Sequence, residues 1–178
     1  VNRIDPAEVA KRYNALKIII DADDKWHLAT EKVMSDFIHA SIEIIPNFES
    51  LKILNAGSAG NSFGLKENNM IHVDVANKHI AHLPNSVVAD IASLPFENNS
   101  FDLIICVGSV LNYCDPLRVI DEFQRVLKAN GYLIIEFENS NLNYYLSEVL
   151  ITVHFLLKLF LMHMEIKKVS GTFLRAIF

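Results

Sequence analysis

The chain has 178 residues, 51% of them hydrophobic, which suffices for one well-buried core and is short for two domains. A formal net charge of -5 without any block of Lys or Arg excludes a nucleic-acid footprint, because phosphates need a basic stripe to neutralise them. The two cysteines, Cys106 and Cys114, and the seven histidines show no metal-ligand spacing, and no secretory signal precedes them, so the expectation is a metal-free protein of a reducing cytoplasm.

The first fifty residues predict helices. Asp5-Pro6 supplies an N-cap and a proline at the first helical position, and the pattern continues through Val9, Tyr13 and Leu16. A second helix is predicted from Asp23 or Asp24, with an apolar stripe of Trp26, Ala29, Val33, Phe37 and Ile44, until Pro46 stops it. Residues 51–55 read as a short apolar strand leading into a glycine turn through Gly57 and Gly60, a helix start and a loop to Lys66. Further strands are predicted over 70–75, with Asp74 at the end, over 87–90, and over 101–107. The last is apolar on both faces, as a central strand of a parallel sheet must be. Asp115-Pro116 opens another capped helix, with Leu117, Ile120, Phe123 and Leu127 on one face. Asn130-Gly131 closes it, and the fifth strand follows. Beyond residue 138 the order weakens. Residues 149–164 are apolar but interrupted by Thr152, His154, Lys158 and His163, so a membrane span is not expected and a packed or surface-lying helix is.

Strands alternating with helices imply an α/β fold, a three-layer sandwich around a mostly parallel sheet with the N-terminal helices as a cap. Such sheets bind ligands at the carboxyl ends of their strands, which makes Asn55, Gly57, Asp74, Asp90 and Gly108 the candidate site residues. Without a side chain, Gly57 and Gly60 let backbone N–H groups approach an anionic group. Asp74 stands where a carboxylate can accept the hydroxyls of a ribose. Asp90 can accept the exocyclic amine of adenine, with Ile91 beside it as an apolar face.

Two stretches carry a resemblance. Residues 89–104, Ala-Asp-Ile-Ala-Ser-Leu-Pro-Phe-Glu-Asn-Asn-Ser-Phe-Asp-Leu-Ile, and residues 121–131, Asp-Glu-Phe-Gln-Arg-Val-Leu-Lys-Ala-Asn-Gly, occur in the order and spacing seen in class I S-adenosylmethionine-dependent methyltransferases of the small-molecule, Rossmann-like type. The resemblance spans about half the chain, residues 51–138. It implies that Asn55, Ala56, Gly57 and Ser58 wrap the methionine part of S-adenosylmethionine, and that Asp74 and Val75 take the ribose. It further implies that Asp90 and Ile91 hold adenine and that Val107, Gly108 and Ser109 line the methyl end. The family usually has an acidic residue at Asn55 and glycines at Ala59 and Asn61, so the glycine turn departs from its pattern and a pocket that no longer binds is an open alternative.

The expected activity is methyl transfer to a small-molecule acceptor, a displacement that depends on alignment more than on acid–base machinery. Tyr13, Trp26, His27, Tyr113 and Asp115 are conceivable pocket liners, and no catalytic base is assigned. Two other readings compete. One is a catalytically silent methyltransferase-like module that binds a partner through 149–164. The other is an NAD(P)-dependent oxidoreductase, which would want glycine at Ala59 to admit a pyrophosphate. The family closes its sheet with an antiparallel strand pair, and nothing after Phe137 reads as that pair. Residues 139–178 are therefore expected to be helical, with the pair missing through truncation or rebuilding, and a start at Val1 without Met fits an excerpt. A sheet edge left open in this way, or the 149–164 segment, would favour a homo-oligomer.

Overall fold

The computed structural model describes residues 5–20, 22–138, 165–168 and 173–177. Helices α1 (Pro6–Ala15) and α2 (Lys25–Ile42) lead into strand β1 (Ile53–Ala56). Strand β2 (Met70–Asp74), the single turn α3 (Asn77–Ile80), β3 (Ser86–Val88) and β4 (Phe101–Cys106) follow. Helix α4 (Pro116–Val126), β5 (Leu127–Glu138), β6 (Glu165–Lys168) and β7 (Phe173–Ile177) complete the order. The sheet runs β3-β2-β1-β4-β5-β7-β6, and its first five strands are parallel. This is the Rossmann-like α/β architecture that the sequence implies. The strand order reverses between β1 and β4, the switch point at which such sheets open a crevice.

Alternation along the central strands divides the core in two. Leu54, Val73, Ile104, Cys106, Leu133 and Ile135 turn to one face, where Val119, Ile120, Phe123 and Val126 of α4 cover them. Ile53, Met70, Leu103, Ile105 and Ile134 turn to the other, against Met34 and Ile38 of α2 and against Ile45 and Leu65. All three predicted caps form: Asp5 accepts from the Ala7 N–H, Asp24 from His27, and Asp115 from Leu117 and Arg118. The stripe predicted for α2 is displaced. Val33 and Ile44 stay half or more exposed at 50% and 64%, while Met34, Ile38, Ser41 and Ile45 are buried. The segment carries two adjacent apolar stripes, and docking on the sheet selects the one that meets Met70 and Leu103.

Three expectations need correction. No helix follows the glycine turn; residues 57–69 cross from β1 to β2 as turns and loop. Gly57, Ala59, Gly60, Phe63 and Gly64 all have positive φ, which a right-handed helix cannot absorb. The sheet face that a crossover helix would cover is taken by α2. Next, α4 ends at Val126 rather than near Lys128, and β5 begins at once, with a register shift opposite Phe101 and Leu103. Finally, the closing strand pair is present. β7 pairs antiparallel with β5, Ile134 opposite Ile177 and Glu138 opposite Phe173, and β6 pairs with β7. Residues 165–168 and 173–177 are therefore strand and not helix, and the edge of β5 is covered rather than open. These strands are four and five residues long, with little alternation to announce them, and the ladder to β5 is what selects them. The helix expected over 149–164 lies outside the described residues.

His72 sits in β2 at 1% exposure, and neither ring nitrogen has a hydrogen-bond partner among the described residues. Burial lowers its pKa below the ordinary 6.5, so the fold holds it neutral. Below about pH 6.5 the unfolded chain takes up a proton that the folded chain refuses. Stability from this group is thus full above that pH and falls as pH drops towards the folded value. Urea titrations at pH 7.5 and 5.5 should show an acid loss in the wild type that shrinks in His72→Met.

Candidate functional site

The polar residues picked from the strand ends converge on a cavity of about 920 Å³ at the carboxyl edge of the sheet. Its wall includes Gly57, Ser58, Asp74, Val75, Asp90, Ile91, Val107, Gly108 and Ser109. Asn55 and Ala56 stand behind that wall, each 1% exposed. Asn55 braces the turn from beneath, its Nδ2 donating to the Asn61 carbonyl at 2.8 Å. Asn61 in turn donates from its side chain to Glu31 of α2. A helix outside the sheet therefore holds the glycine turn that a following helix would otherwise fix.

Asp74 ties two loops together. Its Oδ2 accepts from the Ala59 N–H at 2.9 Å and its Oδ1 from the Ala76 N–H at 2.8 Å, which leaves acceptor capacity on both oxygens of a half-buried carboxylate. Asp90 uses Oδ1 to accept from Ala92 at 2.9 Å. Gly57, at φ 69°, packs on Val110 so closely that a Cβ would come within 2.5 Å of that side chain. Gly108, at φ 87°, faces open space instead, so its backbone is bare to the cavity.

One residue that motif reasoning missed supports this loop. Glu136 of β5 is 1% exposed, and its Oε2 accepts from the N–H groups of Gly108 at 2.8 Å and Ser109 at 2.9 Å. Both donors have positive φ, so a buried carboxylate pins a turn that Ser109 would not favour by itself. Its position directly after the apolar run Leu133-Ile134-Ile135 of the fifth strand was the available signal.

Helix α1 roofs the cavity. Val9, Arg12 and Tyr13 line it, followed by Leu16 to Ile20. The roof is latched to α3: the Lys78 N–H donates to Asn14 at 2.9 Å, the Lys78 ammonium donates to the Leu16 carbonyl, and the His79 ring meets the Tyr13 carbonyl at 2.9 Å. Tyr13 also meets Tyr113 edge to face at 5.9 Å. Burial, then the hydrogen bond to Tyr113, push the Tyr13 hydroxyl up to about 12, so at neutral pH it is a donor and not a base. Burial likewise raises the thiols, Cys114 to about 12 and Cys106 well up, so neither is a thiolate nucleophile. Of the conceivable liners, Tyr13, His27 and Tyr113 reach the cavity; Asp115 is spent as a cap, and the Trp26 side chain lies outside the described residues.

The two stretches that carried the resemblance are joined physically. Arg125 donates to Glu122 of its own helix and reaches the carbonyls of Leu94 at 2.9 Å and Phe96 at 2.6 Å, while Glu122 accepts from the Leu94 N–H. The hydrogen bond from Arg125 holds the Glu122 carboxyl below its usual range. This clamp sets the loop that follows Asp90 and Ile91. It touches no part of the cavity wall.

A family model described as a methyltransferase domain matches residues 56–135. An uncharacterised protein of Methanocaldococcus jannaschii is 30% identical over 106 residues, 55% of this chain and 47% of that protein. Demethylmenaquinone methyltransferase of Thermotoga maritima is 43% identical over 49 residues, 28% of this chain and 21% of that one. The chain thus spans about half the length of the first of these relatives and less of the second. Among solved structures, magnesium protoporphyrin IX methyltransferase of Synechocystis PCC 6803, crystallised with bound S-adenosylmethionine, superposes with a TM-score of 0.66 at 14% identity, covering 99% of each chain. That likeness is one of fold.

Replacing Glu136 by Ala strips both loop donors of a charged acceptor. The expected cost is about 1.5–3 kcal/mol, read as a lower urea midpoint at unchanged m-value.

Proposed function

Since the matched domain and the fold are those of S-adenosylmethionine-dependent methyltransferases, we propose that this chain transfers a methyl group from S-adenosylmethionine to a small-molecule acceptor. The observation that carries the reading is the convergence of the ends of β1, β2, β3 and β4 on one cavity, where Asp74 lines the wall, holds the glycine turn and keeps acceptor capacity on its carboxylate. The residues present suit the cofactor. Asp74 would accept the ribose hydroxyls, Asp90 and Ile91 would hold adenine, and the bare backbone at Gly108 would let the methionine part lie against the loop after β4, beside the tight turn at Gly57. When bound, S-adenosylmethionine supplies an electrophilic methyl group on sulfur. The rest falls to the chain: the strand-end loops orient, and the α1 roof excludes water. Tyr13, protonated at neutral pH, can hydrogen-bond an acceptor molecule but cannot serve as its base.

Calorimetric titration with S-adenosylhomocysteine tests this. The wild type should bind it, and Asp74→Ala should lose at least about tenfold in affinity, the equivalent of a charged hydrogen bond. Thermal unfolding of the variant separates lost binding from lost fold. No binding to the folded wild type would overturn the reading.

A further inference from the structure

The charges that line the cavity balance, Arg12, Lys17 and Lys78 against Glu31, Asp74 and Asp90, so what the site selects depends on how individual groups point and not on a net field. Its loop N–H groups are already taken. From Gly57 to Asn61 each one has an acceptor inside the chain: the Val73 carbonyl for Gly57 and Ser58, Asp74 for Ala59, the Ser58 hydroxyl for Gly60 and the Ser58 carbonyl for Asn61. After β4, Glu136 takes those of Gly108 and Ser109. Neither run keeps an N–H free for an anion, the use that its glycines suggest in the sequence.

Resting on the methyltransferase reading, we infer that Glu136 is a positioning residue of the cofactor site: by holding the N–H groups of Gly108 and Ser109 it turns the carbonyls of Val107 and Gly108 towards the cavity, as acceptors for the ammonium group of S-adenosylmethionine. In a trans peptide the N–H and C=O point in opposite directions, and the described residues contain no cis bond. Two successive N–H groups converge on the Glu136 Oε2. The carbonyls of the same two peptides therefore point away from it, on the side where residues 107–109 line the cavity. No described group donates to either carbonyl. A Cβ on Gly108 would meet nothing within 4 Å, so the approach is open. The orientation needs positive φ at both residues, 87° and 57°, which Ser109 would not hold unaided. As a clip for the turn alone, Glu136 is a costly choice, because its Oε1 is buried without a hydrogen-bond partner among the described residues.

Two ligands isolate this contact: S-adenosylhomocysteine, and its deaminated analogue, which keeps the nucleoside, the thioether and the carboxylate and lacks only the ammonium group. By calorimetry the wild type should bind the first about tenfold more tightly, the equivalent of a charged hydrogen bond. Glu136→Ala should lose that preference and leave affinity for the analogue unchanged. Glu136→Gln should keep it, since an amide oxygen can still accept from both N–H groups. In NMR spectra of isotope-labelled wild type, S-adenosylhomocysteine should shift the carbonyl carbons of Val107 and Gly108 where the analogue does not. That measurement needs no variant and decides the question even if Glu136→Ala unfolds. Equal weakening of both ligands in Glu136→Ala would make Glu136 a structural clip and overturn the proposal, as would an unchanged preference. Loss of the preference in Glu136→Gln would overturn it by assigning the effect to the carboxylate's charge, and so would carbonyl carbons that respond alike to the two ligands. A wild type that binds both ligands equally overturns this proposal and leaves the methyltransferase reading standing; one that binds neither overturns both.

Discussion

Burial of the sheet on both faces is the constraint from which the rest follows. In β4, Phe101 and Leu103 to Cys106 have no exposure at all, and β1 is buried along its whole length. A strand packed between two layers has little room for an unpaired polar group, so groups that can do chemistry are displaced to strand ends. Parallel strands all end at one edge. Asp74, Asp90, Gly57 and Gly108 are thereby gathered around one cavity although they are spread over fifty residues of chain.

The same constraint explains how the loops at that edge are held. With no helix behind the glycine turn, its backbone polar groups depend on strand side chains: half-buried Asp74 takes the Ala59 N–H, and buried Asn55 donates to the Asn61 carbonyl. Glu136 does the corresponding work for Gly108 and Ser109. Buried groups hydrogen-bonded to loop backbone pre-organise a site more rigidly than exposed ones, since water cannot compete for the bond. The roof is built otherwise. No residue of α1 is fully buried, and the helix is held by its polar latches to α3 and by the edge-to-face contact of Tyr13 with Tyr113.

Local chemistry was legible wherever a residue's role depends on its neighbours in sequence. Asp5, Asp24 and Asp115 cap their helices because an aspartate before a helix start can reach only the N–H groups one turn ahead. The Arg125 and Glu122 pair was legible as a pattern, but its purpose was not, since the carbonyls it grips lie about thirty residues away. Glu136 directly follows an apolar run in the sequence, and only the fold shows that it pins the loop after β4. The α2 stripe was misread because both of its apolar faces suit a helix, and only the sheet distinguishes Met34 and Ile38 from Val33 and Ile44.

By itself the sequence determined the α/β class, the parallel centre of the sheet and the strand-end residues of the cleft, because hydrophobic period and turn chemistry are short-range properties. Tertiary structure alone decided that residues 57–69 forgo a helix, that α2 covers the face left bare, and that Glu165–Lys168 and Phe173–Ile177 return to close the sheet. Each of these is a choice of partner. A partner's surface is distant in the chain and becomes available only once the sheet has formed.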